Sequence, residues 1–313
     1  MPKVTVIIPC YNSKGMVRDA VESALSQSYK DLEIVVVDDG SDEETAGYLP
    51  ADSRIRLIRQ AHRGAAAARN RGTESARGEI LAFLDCDDVW FPDKLEACVR
   101  ELLEHPERSA VFHAYYTEDM RTGEVSRSRD DFISWKKPDR LLLSMNRQNV
   151  HPSTAVLRKA CVEAVGGFDE TIQICEDWDL WLRLAERFEA AYVDRPLAKV
   201  RLHGRNTILT RLGEWAENNR KTIGKALRRN PGLYEGVRRE VFAEHHFWAG
   251  FYSYRLLDLP VARRHLWRSL RTRPAWRAFS YLLRSLAGRR FIRFVRRRQS
   301  GRDSTALPES ASR

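Results

Sequence analysis

The chain has 313 residues, of which 43% are hydrophobic and 31% charged, and its formal net charge is +10. This is the composition of a globular protein with room for one large domain and an appendage. It excludes a membrane-spanning protein, because no run approaches the roughly 18 uncharged apolar residues that a spanning helix needs. The N-terminus enters a strand-like segment too early for a signal peptide, so we expect a cytoplasmic location.

Cysteine spacing and charge distribution narrow the class further. The five cysteines have no CxxC or metal-finger spacing and are odd in number, which favours reduced structural thiols and disfavours zinc. From Arg255 to Arg313 the chain has sixteen arginines and three acids, whereas residues 1–254 sum to −3. The sequence therefore predicts a nearly neutral body followed by a basic tail.

Strand-like and helix-like segments alternate along the body. Apolar runs predict strands at residues 4–9, 32–40, 55–60, 79–85 and 109–116. Helical spacing predicts helices at about residues 16–25, 64–77 and 92–104. Such alternation is typical of an α/β domain in which helices flank a mostly parallel sheet.

Polar clusters follow three of the predicted strands. They are Pro9-Cys10-Tyr11-Asn12, Asp38-Asp39-Gly40-Ser41 and Asp85-Cys86-Asp87-Asp88. A turn or helix cap explains any single cluster equally well. Ligands of parallel sheets bind at the carboxyl ends of the strands, so three clusters on one rim indicate a binding site. The sequence has neither GxGxxG nor GxxxxGK[ST], and a divalent cation on Asp-x-Asp is the predicted way to hold a diphosphate.

Six short motifs occur in order: TVIIPCYN, IVVVDDGSDEET, AAARNRG, FLDCDD, GGFDE and EDWDLWLRL. Each is common by itself, but together they resemble an inverting family 2 glycosyltransferase over about residues 3–205. The resemblance implies the GT-A fold, a Rossmann-like α/β architecture. It also implies a nucleotide-diphosphate sugar donor, with a UDP-sugar favoured, a glycan or lipid-linked acceptor, and Mn²⁺ or Mg²⁺ as cofactor.

The resemblance also assigns roles to matching positions. Asp177 is expected to be the general base, which takes the proton of the acceptor hydroxyl. Asp87 and His203 are expected to bind the metal, and Asp85 to face the ribose and the water around the metal. The nucleotide-sugar-binding residues are expected to be Pro9, Tyr11, Asn12, Asp39, Arg69, Asn70, Asp85 and Arg201. On the acceptor side we expect Gly166, Gly167, Glu176 and Ser153.

Ordinary structural roles stay open for several of these residues. An Arg in an Ala-rich helix, such as Arg69, is commonly solvated or ion-paired. Glu176 has a simple explanation in the favourable interaction of acids with a helix N-terminus. A lone His such as His203 is commonly a structural hydrogen-bonding group, and Asp88 can serve as a cap.

The last third of the chain has a different character. We predict a GT-A domain over residues 1–211, an α-helical basic extension over 212–298 and a disordered tail over 299–313. Residues 278–298 mix apolar side chains with arginines, as a helix on an anionic membrane surface does. Packing of this helix on the catalytic domain, with a solvated basic face, is the alternative.

One other partner and one other function are alternatives to this interpretation. Nucleic acid is disfavoured, because the nearly neutral body offers no basic groove to continue the tail. The rival to an enzyme is a non-catalytic binding or scaffold protein that keeps the fold and recruits a partner through its helical tail.

Overall fold

The computed structural model describes residues 3–128, 137–144, 150–204, 206, 211–289 and 292. These residues form two compact units. The first contains the described residues up to 141 together with 150–203, and the second contains residues 142–144 and the described residues from 204 onward. The predicted disordered tail and the basic residues 293–298 lie outside the described residues.

The first unit alternates strands and helices, and it confirms the predicted α/β class. Its strands are β1 (Val4–Cys10), β2 (Leu32–Asp38), β3 (Ile55–Arg59), β4 (Ile80–Phe83), β5 (Val89–Trp90), β6 (Arg108–His113), β7 (Tyr116–Asp119), β8 (Glu124–Arg127), β9 (Val156–Arg158), β10 (Glu189–Val193) and β11 (Ala198–Leu202). Its helices are α1 (Met16–Leu25), α2 (Ala65–Ser75), α3 (Lys94–Glu104), α5 (Lys159–Ala164) and α6 (Glu176–Ala185), and α4 (Pro138–Ser144) runs from this unit into the second.

Within the described residues the larger sheet has the strand order β10-β6-β9-β4-β1-β2-β3. β9 runs antiparallel to its neighbours β4 and β6, and the other pairs are parallel. Every residue of β1 and β2 is buried, which explains their continuous apolar runs, because helices cover both faces of a parallel sheet. A smaller sheet has the order β5-β11-β7-β8.

The register of the central strands brings the three polar clusters to one edge. Cys10, the last residue of β1, pairs with Asp38, the last residue of β2. On the other side of β1, Phe83 at the end of β4 pairs with Ile7. The chain after all three strands therefore continues at the carboxyl edge of the sheet, where a ligand site of such a fold is expected.

Close packing of α2 on β1 depends on Gly72. A Cβ atom at this position would lie 2.4 Å from Cγ2 of Ile7, so a side chain larger than hydrogen would push the helix away from the sheet. Arg69 lies one turn earlier on the same helix. The glycine of the ARNRG motif thus fixes the distance at which Arg69 approaches the strand ends.

The second unit is helical, as the sequence predicts. Its helices are α7 (Trp215–Arg229), α8 (Pro231–Tyr234), α9 (Arg238–Arg255), α10 (Leu259–Thr272) and α11 (Trp276–Leu286). α9 packs along α10, and a Cβ atom at Gly250 would lie 2.7 Å from Cγ of Leu266, so the two backbones approach closely there. Among the described helices, none combines the length and the apolar character needed to cross a bilayer.

Candidate active site

Arg69 joins two acidic segments that are about 90 residues apart in the sequence. Its guanidinium is buried, with Nη2 2.7 Å from Oδ1 of Asp85 and Nη1 2.7 Å from Oε1 of Glu176. Burial by itself lowers the pKa of Arg69, but the two carboxylates outweigh it and the pKa lies above its ordinary value. Arg69 therefore stays charged and holds the loop after β4 against the N-terminus of α6.

Asp87 and His203 face each other in the same region. Asp87 lies in the loop after β4, and His203 follows β11, with its Nε2 2.9 Å from Oδ2 of Asp87. The distance is that of a direct hydrogen bond, and it also matches adjacent ligands of an octahedral ion at about 2.1 Å, which lie roughly 3.0 Å apart. A carboxylate and an imidazole also suit Mn²⁺ chemically, so the residues fit a divalent ion.

Asp88 fixes the loop after β4, residues 85–88, through its buried carboxyl group. Its Oδ1 accepts a 3.0 Å hydrogen bond from the amide of Arg201, and the hydroxyl of Ser153 lies 2.5 Å from Oδ2. Burial, followed by the nearby charges of Asp87 and Asp85, raises the pKa of Asp88 well above its ordinary value. Asp88 is thus a positioning group, through contacts with residues distant in the sequence rather than those of a local cap.

Ser153 serves the same loop. It is fully buried, and besides contacting Asp88 its Oγ accepts a 3.0 Å hydrogen bond from the amide of Asp85. An acceptor could reach this hydroxyl only after the loop moved, so Ser153 supports the site rather than lining it. The acceptor-side contact that the sequence predicts for Ser153 is therefore not available in this conformation.

Arg201, predicted to contact phosphate, is also engaged by the chain. Its Nη1 is 2.6 Å from Oδ2 of Asp19 on α1, and its Nε donates to the carbonyl oxygen of Asp87. The side chain is 7% exposed. In this arrangement Arg201 ties β11 to α1 and to the metal-site loop, behind the pair formed by Asp87 and His203.

Asp177 occupies the second position of α6. The helix begins after Cys175, whose φ of 69° lies in the left-handed region and turns the chain sharply into the helix. Oδ1 of Asp177 accepts a 2.8 Å hydrogen bond from the amide of Trp178. Burial and the adjacent charge of Glu176 raise the pKa of Asp177 to about 7, although Arg69 opposes them. A carboxylate with this pKa can accept a proton near neutral pH.

Asp39 is held by the loop after β3. Gln60 Nε2 at 2.7 Å and the amide of Arg63 at 3.0 Å donate to its Oδ1, while the amide of Gly64 donates to its Oδ2 at 2.7 Å. His62 Nδ1 also lies 2.8 Å from Oδ2. A carboxylate has about four acceptor positions, so Asp39 can bind a nucleobase, its predicted role, only if one of these donors is displaced.

Tyr11 and His62 form a stacked pair at the rim. Their ring centroids are 4.1 Å apart with an interplanar angle of 25°, and Tyr11 is 47% exposed. The predicted floor residue Pro9 lies within β1, and Asn12, with a φ of 48°, donates its amide to Oγ of Ser41. Sequence reasoning missed His62, although inspection of the residues after the third strand would have found it.

Asn70 clamps the GGFDE segment. Its Nδ2 donates to the carbonyl of Phe168 at 2.9 Å, and its Oδ1 accepts from the amide of the same residue at 2.8 Å. Gly167 has a φ of 69°, and a Cβ there would lie 2.8 Å from Oδ1 of Asn70. Gly166 also has positive φ, with no atom near its missing Cβ within the described residues. Asn70 and Gly167 therefore shape the approach to α6.

The sequence comparisons identify the family of this arrangement. Residues 5–166 match the family model described as Glycosyl transferase family 2. An uncharacterized glycosyltransferase of Rickettsia prowazekii is 30% identical over 220 residues, which are 69% of this chain and 69% of that protein. A chondroitin synthase of Escherichia coli is 29% identical over 235 residues, which cover 73% of this chain and 33% of the synthase.

Solved structures share the fold. The crystal structure of S. aureus TarS 1-349 in complex with UDP-GlcNAc has a TM-score of 0.61 and 18% identity, and the match covers 90% of this chain and 84% of TarS. The mannosyltransferase PcManGT from Pyrobaculum calidifontis, in complex with GDP-Man and Mn²⁺, has a TM-score of 0.59 and 22% identity, covering 91% and 80% of the two chains. The chain therefore has the GT-A fold, and the similarity to both structures extends over most of its length.

Proposed function

The chain belongs to glycosyltransferase family 2, and on that premise we propose that it moves a sugar from a UDP-sugar to a hydroxyl of a glycan or lipid-linked acceptor, with inversion at the anomeric carbon. One observation carries the proposal: Arg69 binds both Asp85 and Glu176, and so connects the metal-site loop with the segment of Asp177. The UDP-GlcNAc complex of TarS supports a UDP-sugar donor, and the GDP-Man complex of PcManGT makes a GDP-sugar the alternative.

Asp177 supplies the base for this reaction. The acceptor oxygen attacks the anomeric carbon from the face opposite the diphosphate, and its proton passes to a carboxylate oxygen of Asp177. The bond between the anomeric carbon and the diphosphate oxygen breaks, and its electron pair leaves with the nucleoside diphosphate. A base with a pKa of about 7 is well matched to a proton transfer near neutral pH.

Asp87 and His203 would hold a divalent ion, and Asp85 would orient the water around it. When bound, the ion offsets negative charge that develops on the leaving diphosphate. Arg201 donates to the carbonyl oxygen of Asp87, and Ser153 contacts the neighbouring Asp88, so the loop that carries the Asp87 carboxylate is held in place before the donor binds. This preorganisation is the contribution of the chain's own residues.

The stacked rings of Tyr11 and His62 would bind the base of the donor. An aromatic face accepts any base by stacking. A hydrogen bond from the base to Asp39 would be specific, but it would require a present donor, such as the Gln60 amide, to leave the carboxylate. Base selectivity would therefore depend on how readily Gln60 releases the Asp39 carboxylate.

The acceptor side of the proposal rests on α11. Trp276, Phe279, Leu283 and Leu286 are between 41% and 77% exposed and recur at spacings of three and four residues, so they share one helix face. Residues 276–298 contain eight arginines and no acid. An apolar face flanked by arginines suits the surface of an anionic bilayer, and a lipid-linked acceptor would be found there.

A donor-hydrolysis panel tests the catalytic proposal. UDP-, GDP- and TDP-sugars are incubated with the wild type and Asp177→Asn, with and without Mn²⁺, and the free nucleoside diphosphate is measured. We expect Mn²⁺-dependent turnover of a UDP-sugar by the wild type and its loss in the variant. Absence of metal-dependent turnover with every donor would favour the non-catalytic scaffold instead.

Vesicle flotation tests the membrane surface separately. We expect the wild type to float with vesicles containing anionic lipid and not with neutral ones, and the double variant Trp276→Ser, Leu286→Ser to lose most of this binding. Leu103→Ser is the matched control, because Leu103 is 54% exposed on α3. Equal flotation of the double variant and the wild type would refute the membrane role of α11 but leave the transferase proposal intact.

A further inference from the structure

Three histidines meet where α9 packs on α10. His245 and His246 belong to α9 and His265 to α10, and one ring nitrogen of each lies within 4.8 Å of the others. The closest pair is Nδ1 of His246 and Nδ1 of His265, which are 3.2 Å apart. We name these residues the histidine cluster. Neither the family resemblance nor the proposed transferase reaction assigns them a role.

Asn219 of α7 orients one member of the cluster. Its Oδ1 is 2.8 Å from Nδ1 of His245, so the proton of the imidazole lies on Nδ1 and the lone pair on Nε2 is left for another partner. His245 also stacks on Trp215, with ring centroids 6.1 Å apart. A hydrogen bond from the distal nitrogen to an amide or carboxylate is the usual way in which a metal-binding histidine is held.

We propose that the histidine cluster binds one Zn²⁺ ion, or another divalent transition metal that prefers imidazole, and thereby fastens α9 to α10. Nitrogens bound at about 2.0–2.1 Å to one tetrahedral zinc lie roughly 3.3 Å apart, and the 3.2 Å pair of His246 and His265 already has this spacing. The third nitrogen lies within 4.8 Å of the other two, so a shift of at most about 1.5 Å would bring it to the same spacing. Three histidines leave the fourth position for water, an arrangement that zinc accepts.

A simpler explanation is a hydrogen bond between two imidazoles at a helix interface. One Nδ1 would then carry a proton and the other would accept it, and His245 would be an aromatic neighbour without a ligand role. A common ion explains the cluster better, because three ring nitrogens converge and Asn219 engages only Nδ1 of His245, which leaves its Nε2 for the ion. The two explanations differ in one measurable property, which is stoichiometric metal binding.

Nearby arginines oppose the ion and offer a second test. Arg268 lowers the pKa of both His246 and His265, and Arg264 and Arg220 act in the same direction on individual members. Their positive charges repel a divalent cation and so weaken its binding, although the arginines are not ligands. Arg268 is exposed on α10, so its replacement by Gln removes charge without opening the core.

Calorimetric titration of the full chain with Zn²⁺ at pH 7.5 tests the proposal. Excess Mg²⁺ is present so that carboxylate-only sites are filled by the harder ion, and His203→Gln is titrated in parallel so that any Zn²⁺ bound with Asp87 is recognised. We expect the wild type to bind one Zn²⁺ that is bound at least about tenfold more weakly in His265→Gln. Arg268→Gln should bind it more tightly than the wild type, which loss of folding cannot imitate.

His105→Gln is the matched control, because His105 with Glu101 and Glu104 forms the other group of ligand-type side chains in the described part of the chain. Its titration should equal that of the wild type. Co²⁺ should give the visible absorption of a tetrahedral site in the wild type and not in His265→Gln. No stoichiometric Zn²⁺ binding, or binding that is unchanged in His265→Gln, would overturn the proposal.

Discussion

Burial shifts pKa values in opposite directions in two regions of the molecule. In the first unit it raises the pKa of Asp177 to about 7, and in the second it lowers the pKa of His245 to about 3. Desolvation always disfavours the charged form, so an acid and a base both become less ionised. What differs is the surroundings: Arg69 lies beside the carboxyl, whereas arginines surround the imidazoles.

The difference predicts which ion each region binds. At the strand ends Arg69 pairs with part of the excess carboxylate, and Asp87 beside His203 remains as a site that suits Mg²⁺ or Mn²⁺. In the helical unit the arginines are on the outside and nitrogen ligands converge inside, which suits zinc. The two regions should therefore respond differently to substitution, metal and pH.

The largest effect is expected from Asp177→Asn. An amide cannot accept the acceptor proton, so kcat for sugar transfer should fall on the order of 10²- to 10⁴-fold. Binding of UDP should stay unchanged, as measured by the rise in melting temperature of the protein with UDP and Mn²⁺. Asp31→Asn, at an exposed position before β2, is the control and should keep full activity. Transfer within threefold of wild type in Asp177→Asn would show that another group is the base.

Arg69→Gln tests the buried bridge. The substitution leaves Asp85 and Glu176 without their shared cation, and loss of one partner of a buried pair costs about 3–5 kcal/mol. We expect the free energy of unfolding from urea titration to fall by this amount, with Arg69→Lys intermediate. Arg71→Gln, on an exposed turn of α2, should change it little. A loss below about 0.5 kcal/mol for Arg69→Gln would mean that the bridge does not hold the two segments together.

His203→Gln separates the two metal sites. Loss of one imidazole ligand should weaken Mn²⁺ binding in the presence of UDP by about 10- to 100-fold, while Zn²⁺ binding to the histidine cluster stays the same. Competition titration with both ions measures the two affinities in one sample. Equal losses for both ions in this variant would indicate a general effect on folding rather than two independent sites.

The pH dependence of stability should have opposite signs in the two regions. The raised pKa of Asp177 contributes stability below about pH 4 that is lost as the pH rises through about 7. The lowered pKa of His246 does not reduce the free energy of unfolding above about pH 6.5. As the pH falls from there towards about 4, the protein loses stability, because the imidazole takes up a proton in the unfolded chain but not in the folded one.

Two variants test how these pKa shifts change stability with pH. We expect Asp177→Asn to melt a few degrees higher than the wild type at pH 8 and similarly at pH 4. His246→Gln should gain stability relative to the wild type as the pH is lowered from 7 to 5. Melting temperatures across this range provide the measurement, and parallel curves for a variant and the wild type would contradict the corresponding pKa shift.

Much of the fold could be predicted from the sequence because each element carries its own pattern. The buried run of β2 is apolar at nearly every position, and the helix that contains Trp178 and Trp181 has its apolar residues on one face. Strand ends at one edge follow from the parallel arrangement. The acids of the FLDCDD motif could therefore be assigned to the rim before any contact was known.

The partners of those acids could not be predicted. Ser153 and Arg201 lie 68 and 113 residues from the acidic-loop residues that they contact, and no local pattern encodes such pairs. Sequence reasoning assigned both side chains to ligands. In the structure the Ser153 hydroxyl contacts Asp88, and the Arg201 guanidinium contacts Asp19 and the carbonyl oxygen of Asp87. Asp39 was assigned to the base for the same reason, and the loop after β3 fills its acceptor positions.

The sequence by itself determined the alternation of strands and helices up to β6, the polar rim, the helical extension and its basic charge, because propensity, periodicity and composition are local properties. Only the tertiary structure decided that Arg69 bridges two acidic segments, that His62 stacks on Tyr11, and that the histidine cluster converges. Contacts between distant residues depend on how helices and strands pack. Burial, which sets the pKa of each group, exists only once that packing has formed.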